Sequence, residues 1–216
     1  MGKLRFRFEK TGRAKYISHL DLMRTFQRAF LRADIDVKHT EGFNPHPYIS
    51  IVLPLSLGSE SLCEYLDAEI NGSAAEAVKG LNSALPEGIR IVTAAEPRMK
   101  PGEVGFARYS LELIYDDGKA RERTDKIREY LSKGPLIITK KTKRGLGELD
   151  IYPHISELEL SEGENSVRLT ALCSAFEPSI NPADLLAALS KSEKLKPDFA
   201  RYTRLEIYNK NKIIFR

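Results

Sequence analysis

Leu4, Phe6 and Phe8 alternate with Arg5, Arg7 and Glu9. A period of two describes a strand with one buried and one charged face. Thr11-Gly12 interrupts it, and the period then changes. Leu22, Phe26, Ala29, Phe30 and Ala33 recur at helical spacing, after Ser18 in an N-cap position with Asp21 three residues on. This predicts an amphipathic helix over residues 18–33. Short strands are expected over 35–40, 48–53 and 64–70, with a turn rich in Gly, Asn and Pro at 41–47. Asn71-Gly72-Ser73 starts a helix through about residue 85, and Pro86-Glu87-Gly88 turns the chain into a strand over 89–95. The order is that of a split βαβ unit with one inserted strand.

Residues 96–105, with two prolines and two glycines, read as a linker. Beyond it the pattern predicts strands over 106–115 and 136–140 around a charged helix over 119–132. A basic hairpin tip follows at 141–147, then strands over 149–151, 155–160 and 167–173. Asn181-Pro182 opens a helix to about 190, since proline suits the first helical position. A strand over 200–208 and a short tail strand over 213–215 close the chain. Both halves end on a short Ala/Leu helix, a proline, an acidic residue and a strand containing arginine, a weak self-similarity. The expected fold class is α+β: two tandem ferredoxin-like (split βαβ) domains with antiparallel sheets. Residues 1–100 form the first, with its SHLDL and GFNPHP motifs, and residues 101–216 the second. The alternative is one larger α+β domain with a single sheet.

The 216 residues are 42% hydrophobic and 30% charged, as expected of a globular chain. No apolar run approaches the roughly 20 residues of a membrane span. The basic and apolar alternation of MGKLRFRFEK reads as a strand, not a signal peptide. No membrane partner is expected, and a cytoplasmic location is. Cys63 and Cys173 lie in apolar stretches without a CxxC pair, which suggests buried thiols in a reducing compartment. The net charge of +4 permits an anionic partner without demanding one. The basic residues concentrate at the N-terminus, along Arg24 to Arg32, and at Lys140-Lys141-Thr142-Lys143-Arg144.

Three of the four histidines, His19, His39 and His46, fall between Tyr16 and Ser50. Arg24, Arg28 and Arg32 share one helix face, either as a solvated face or as a cationic ridge for phosphates. Lys10, Arg13 and Lys15, in the loop feeding the helix, would extend that ridge, and the predicted surface runs from Arg7 and Lys15 across Arg24 and Arg28 to His46. His19 beside Asp21 is a candidate His–Asp pair, although Asp21 also suits a plain cap. His46 stands between two prolines in Asn44-Pro45-His46-Pro47, on a stiff platform that suits either a positioned group or a tight turn. Tyr16, Phe43 and Tyr48 are candidates to stack nucleic-acid bases, or to fill the core beneath the turn. No phosphate-binding loop, dinucleotide fingerprint, HExxH or iron–sulfur cysteine motif is present in the sequence. No cofactor is expected. A metal held by His19, His39 and His46 has suitable ligand types but no recognisable spacing, so no metal site is assigned.

The segments RFRFEKTGRAKYISHLDLMRTFQRAFLRADIDV, EGFNPHPYISIVLPLSLGSES and EYLDAEI resemble the bacterial radical-SAM-linked protein family. That is a domain of unknown function, found alone or fused behind a radical SAM domain. The resemblance is strong over the first 70 residues and loose beyond. Leu31 stands where the family often carries a second arginine. The resemblance implies a stand-alone cytoplasmic bacterial protein, with gene neighbours in RNA and ribosome metabolism. The family has no established reaction, so it transfers no catalytic residue.

The leading expectation is a non-catalytic module that binds RNA, a ribosome-related particle or a separate radical SAM protein. Its anion-binding residues would be Arg7, Lys15, Arg24, Arg28, Asn44, Lys141 and Arg144. The alternative is a metal-independent endoribonuclease, with His19 and His46 as acid and base and Asp21 beside them.

Overall fold

The computed structural model describes residues 1–142 and 145–216. Strand β1 (Gly2–Lys10) follows its sequence period: Phe6 and Phe8 are fully buried on one face, while Arg5 and Arg7 lie on the other. After a 3-10 turn over Gly12–Tyr16, helix α1 spans His19–Arg32. Ser18 caps it by accepting the Asp21 backbone N–H at 3.2 Å, which satisfies a donor that the first helical turn leaves open. The helix buries Leu22, Phe26, Ala29 and Phe30. Phe26 meets Phe8 edge-on at 4.8 Å between ring centres, and Phe30 meets Phe6 at 5.9 Å. Each such pair contributes about 0.5–1.5 kcal/mol beyond the area it buries.

Strands β2 (Ile49–Ile51) and β3 (Glu60–Ile70), helix α2 (Ala74–Ala84) and strand β4 (Ile89–Ala95) follow. Their order is β4-β1-β3, with β2 on the far side of β3, and each of these pairings is antiparallel. The segment expected as a strand over 35–40 is narrower: Val37 bridges Ile70 and His39 bridges Pro47. Gly88, at φ +85°, closes the loop before α1. Its carbonyl accepts from Thr11 N at 2.8 Å, and a Cβ there would lie 2.4 Å from the Thr11 carbonyl oxygen. Only glycine tolerates that backbone and that approach.

The second half comprises β5 (Val104–Ile114), α3 (Ala120–Lys133), β6 (Ile137–Thr142), β7 (Gly145–Asp150), β8 (Ile155–Glu162), β9 (Ser166–Ser174), α4 (Pro182–Leu189) and β10 (Phe199–Asn209). Its main strands are ordered β10-β5-β9-β8, and β6 pairs with β7 as a separate hairpin. Ala107, Leu111, Leu113, Ile127, Leu169, Leu185 and Ile207 are fully buried. The tail expected as a strand over 213–215 retains a single bridge residue, Ile214.

The architecture is mixed α/β, with four α-helices and mostly antiparallel pairing among the described residues. Two compact units divide the chain: Met1–Val104 with Ile213–Arg216, and Gly105–Lys212. The last four residues thus pack with the first unit. Arg216 O accepts from the backbone N–H groups of Arg98 at 3.2 Å and Met99 at 3.1 Å.

Candidate functional site

The start of α1 and the turn before β2 carry most of the residues singled out by sequence. The Asp21 carboxylate has two partners: the Ser18 hydroxyl donates to it at 2.7 Å, and Arg24 Nη1 donates at 3.1 Å. These bonds, the Ser18 bond foremost, hold the Asp21 carboxyl below the usual carboxylate range. His19 is exposed, and its ring makes no hydrogen bond or ion pair among the described residues. Asp21 therefore serves the helix cap and Arg24; it does not orient His19.

Arg24 and Arg28 are both exposed. The Arg24–Asp21 ion pair is open to solvent, and such pairs contribute about 0–1 kcal/mol, so Arg24 can exchange it for a phosphate at little cost. Arg28 makes no hydrogen bond or ion pair among the described residues. Arg32 leaves the ridge by donating to the Ala84 carbonyl at 2.7 Å.

Residues 38–48 double back as a hairpin. Thr40 N donates to His46 O at 2.9 Å, and Tyr48 N donates to Lys38 O at 2.7 Å. His46 Nδ1 lies 3.1 Å from the Asn44 carbonyl and 3.2 Å from Thr40 Oγ1. A carbonyl only accepts, so the Asn44 contact is made with a proton on Nδ1, whereas the Thr40 hydroxyl can also donate to an unprotonated Nδ1. His39 Nδ1 contacts the Val37 carbonyl at 2.8 Å, a local bond two residues back along the chain. Gln27 Nε2 donates to Pro47 O at 3.4 Å and ties the hairpin to α1. Gln27 and Thr40 thus hold the turn in place. Sequence reasoning passed over both, since neither uncharged side chain belongs to a recognisable motif.

The hairpin presents aromatic surface instead of burying it. Phe43 is 111% exposed, and Tyr48, Tyr16 and the α1 residues Leu20 and Leu31 are also largely exposed. Asn44 is exposed at the same tip. Lys15 Nζ pairs with Glu60 at 3.4 Å and sits 5.5 Å from the Tyr16 ring centre. The Lys15 carbonyl accepts from Lys10 Nζ at 3.2 Å. Lys10 itself is only 1% exposed. Burial pushes its ammonium pKa down, and the charge of Glu64 opposes that.

Other predicted residues lie elsewhere. Arg7 projects from the face of β1 opposite Phe6 and Phe8, so it does not continue the α1 ridge. Lys141 is in β6, where its backbone pairs with Leu146 in the second unit. Arg144 lies outside the described residues. Lys140 is held within its own unit by Asp184 and the Ser179 carbonyl, both at 2.7 Å. Among the described residues, no group of three or more His, Cys, Asp or Glu side chains is arranged to hold a metal ion.

Residues 3–182 match the family described as "Uncharacterized protein conserved in bacteria (DUF2344)". The chain belongs to that family. The match takes in the whole α1–hairpin region and most of the second unit. No curated protein matches the chain. Among solved structures, it is similar to an unknown protein from Galdieria sulphuraria at 12% identity and a TM-score of 0.27, over 94% of this chain and 98% of that one. A likeness that low carries no argument about fold or function. No helix among the described residues is long and apolar enough to cross a membrane.

Proposed function

We propose that this DUF2344 protein is an RNA-interacting module without turnover of its own, binding single-stranded RNA across α1 and the 38–48 hairpin. The observation that carries the reading is Phe43, fully exposed at the tip of a hairpin braced to α1 and near Arg24 and Arg28 in sequence. An exposed aromatic ring on a fixed support offers a stacking platform for bases, and the exposed arginines of α1 would contact the phosphates. Catalysis is the weaker reading, because the Asp21 carboxylate is taken up by Ser18 and Arg24.

Two finer readings accompany it. Each unit has the βαββαβ order and the strand order 4-1-3-2 of a ferredoxin-like fold, with the β6–β7 hairpin inserted in the second. The buried thiols of Cys63 and Cys173 favour a reducing, cytoplasmic setting. A second partner class is a separate radical SAM protein docking on α1, a reading favoured by exposed Leu20 and Leu31. Its test is co-purification, and a complex undiminished by replacing Leu20 and Leu31 with serine argues against that surface.

The test of RNA binding is fluorescence anisotropy of a labelled single-stranded RNA, titrated with the full chain at several salt concentrations. Two or three phosphate contacts predict a slope of log K against log salt of about −1.4 to −2. No binding at low salt, or binding indifferent to salt, overturns the proposal.

A further inference from the structure

The first unit's sheet has an outer edge at β4. In the order β4-β1-β3 it is the outermost strand, and among the described residues it pairs with β1. Its sequence, IRIVTAA, carries one charge and is rich in β-branched residues, the composition of a strand that pairs readily. Arg90, Val92, Thr93 and Ala95 on it are exposed. An edge of this kind is a template for a further strand, and natural sheets blunt theirs.

Here the blunting centres on Ile91. Asn82 on α2 donates from Nδ2 to Ile91 O at 2.9 Å, and its Oδ1 accepts from Ile91 N at 2.8 Å. One amide thus takes both backbone groups of Ile91, which the alternation of an antiparallel ladder turns outward here. These are the paired bonds that a residue of an added strand would exchange with Ile91. Two residues back, Ile89 N donates to Pro86 O at 3.2 Å, so the next outward donor is also occupied. Past Ile91 the register slips: Phe8 pairs with Ile91 and Arg7 with Thr93. Val92 is left as a bulge, which twists the edge. Packing sets the position of Asn82. Its neighbour Leu81 is fully buried, and a Cβ on Gly80 would lie 3.3 Å from Ala33 Cβ, so α2 sits close against the end of α1. Residues 85–88 then return the chain beside α2 as β4.

We propose that Asn82 is a guard residue, which occupies the β4 edge and keeps it from pairing with the β4 edge of a second copy of this chain. A copy is the partner to be excluded because β4 can pair with itself. Laid antiparallel about Ile91, Arg90 of one strand meets Val92 of the other, so no like charges stand opposite and oppose the pairing. The contact involves neither Phe43 nor the arginines of α1, so the proposal stands apart from the RNA reading.

The test is sedimentation velocity of the full chain over a wide range of concentration. Asn82 is exposed on its helix and alanine is the better helix former, so Asn82→Ala is expected to fold, which urea denaturation checks. Asn82→Ala is expected to gain a concentration-dependent species of twice the wild-type mass. Asn82→Asp is expected to sediment as wild type, since a carboxylate still accepts from Ile91 N and leaves a charge on the edge. Adding Val92→Lys to Asn82→Ala is expected to restore the wild-type pattern, because a lysine on an edge strand opposes pairing. If Asn82→Ala lowers the urea midpoint, Asn82→Leu, of similar volume and without either bond, takes its place. Wild-type sedimentation of the alanine or leucine variant, association that Val92→Lys does not reverse, or a wild-type association that Val92→Lys alone disperses each overturns the proposal.

Discussion

Replacing Phe43 by alanine separates binding from folding. The side chain is 111% exposed, so truncating it removes no core contact. Substitutions at such positions change stability by within about 0.5 kcal/mol. If Phe43 stacks on an RNA base, the same truncation costs about 1–3 kcal/mol of binding. At 1.4 kcal/mol per tenfold, that is roughly a 5- to 150-fold rise in Kd. The brace supplies a graded control. Gln27→Ala removes the 3.4 Å bond to Pro47 O, lets the hairpin move, and is expected to weaken binding less than Phe43→Ala does. Anisotropy with a labelled single-stranded RNA measures affinity, and urea denaturation of the same preparations measures stability. Unchanged RNA affinity in Phe43→Ala, at unchanged stability, refutes the stacking role and with it the main support for the RNA reading.

Three further outcomes are expected. Gly88→Ala forces a Cβ to within 2.4 Å of the Thr11 carbonyl oxygen at φ +85°; left-handed strain plus overpacking predicts a loss of about 2–4 kcal/mol in urea denaturation, and a loss under about 1 kcal/mol contradicts the tight-loop account. Arg123 holds the Asp117 carboxyl down from 3.8 to about 2, so this contribution to stability is complete above the unfolded value and disappears as pH falls through the folded one; the stability difference between wild type and Asp117→Asn should therefore be present at about pH 5 and close by about pH 2, and a pH-independent difference counts against the ion pair. His19→Ala and His46→Ala should each leave the background cleavage of labelled RNA unchanged, and loss of a wild-type cleavage activity in either variant restores the endoribonuclease reading.

How much of the candidate site is legible depends on the range of the interaction. The α1 cap is local: Ser18 and Asp21 are three residues apart, so the sequence alone reveals the pair. The fate of the Asp21 carboxylate is almost as local, yet His19, Ser18 and Arg24 all lie within reach along the chain. Only the folded geometry shows that Ser18 and Arg24 take it. The position of Arg7 was implicit in its strand parity, since a residue between Phe6 and Phe8 must point away from the face they bury. The ridge drawn from Arg7 to Arg24 followed charge and overlooked that parity.

By itself, the sequence determined the periodic elements: a strand of alternating phenylalanines and arginines, and a capped helix with Phe26 and Phe30 on its buried side. It also determined that the NPHP turn is stiff, because proline restricts its own backbone and that of the residue before it. Periodicity records which face of an element is buried, but not which element covers it. The tertiary structure decided that Gly88 closes on Thr11, that Gln27 holds Pro47, and that the final residues meet Arg5. The Arg5–Arg216 bond spans 211 residues, and no local pattern encodes a contact at that separation. It exists because β1 puts Arg5 on the helix-free face, where the last residues of the chain return to meet it.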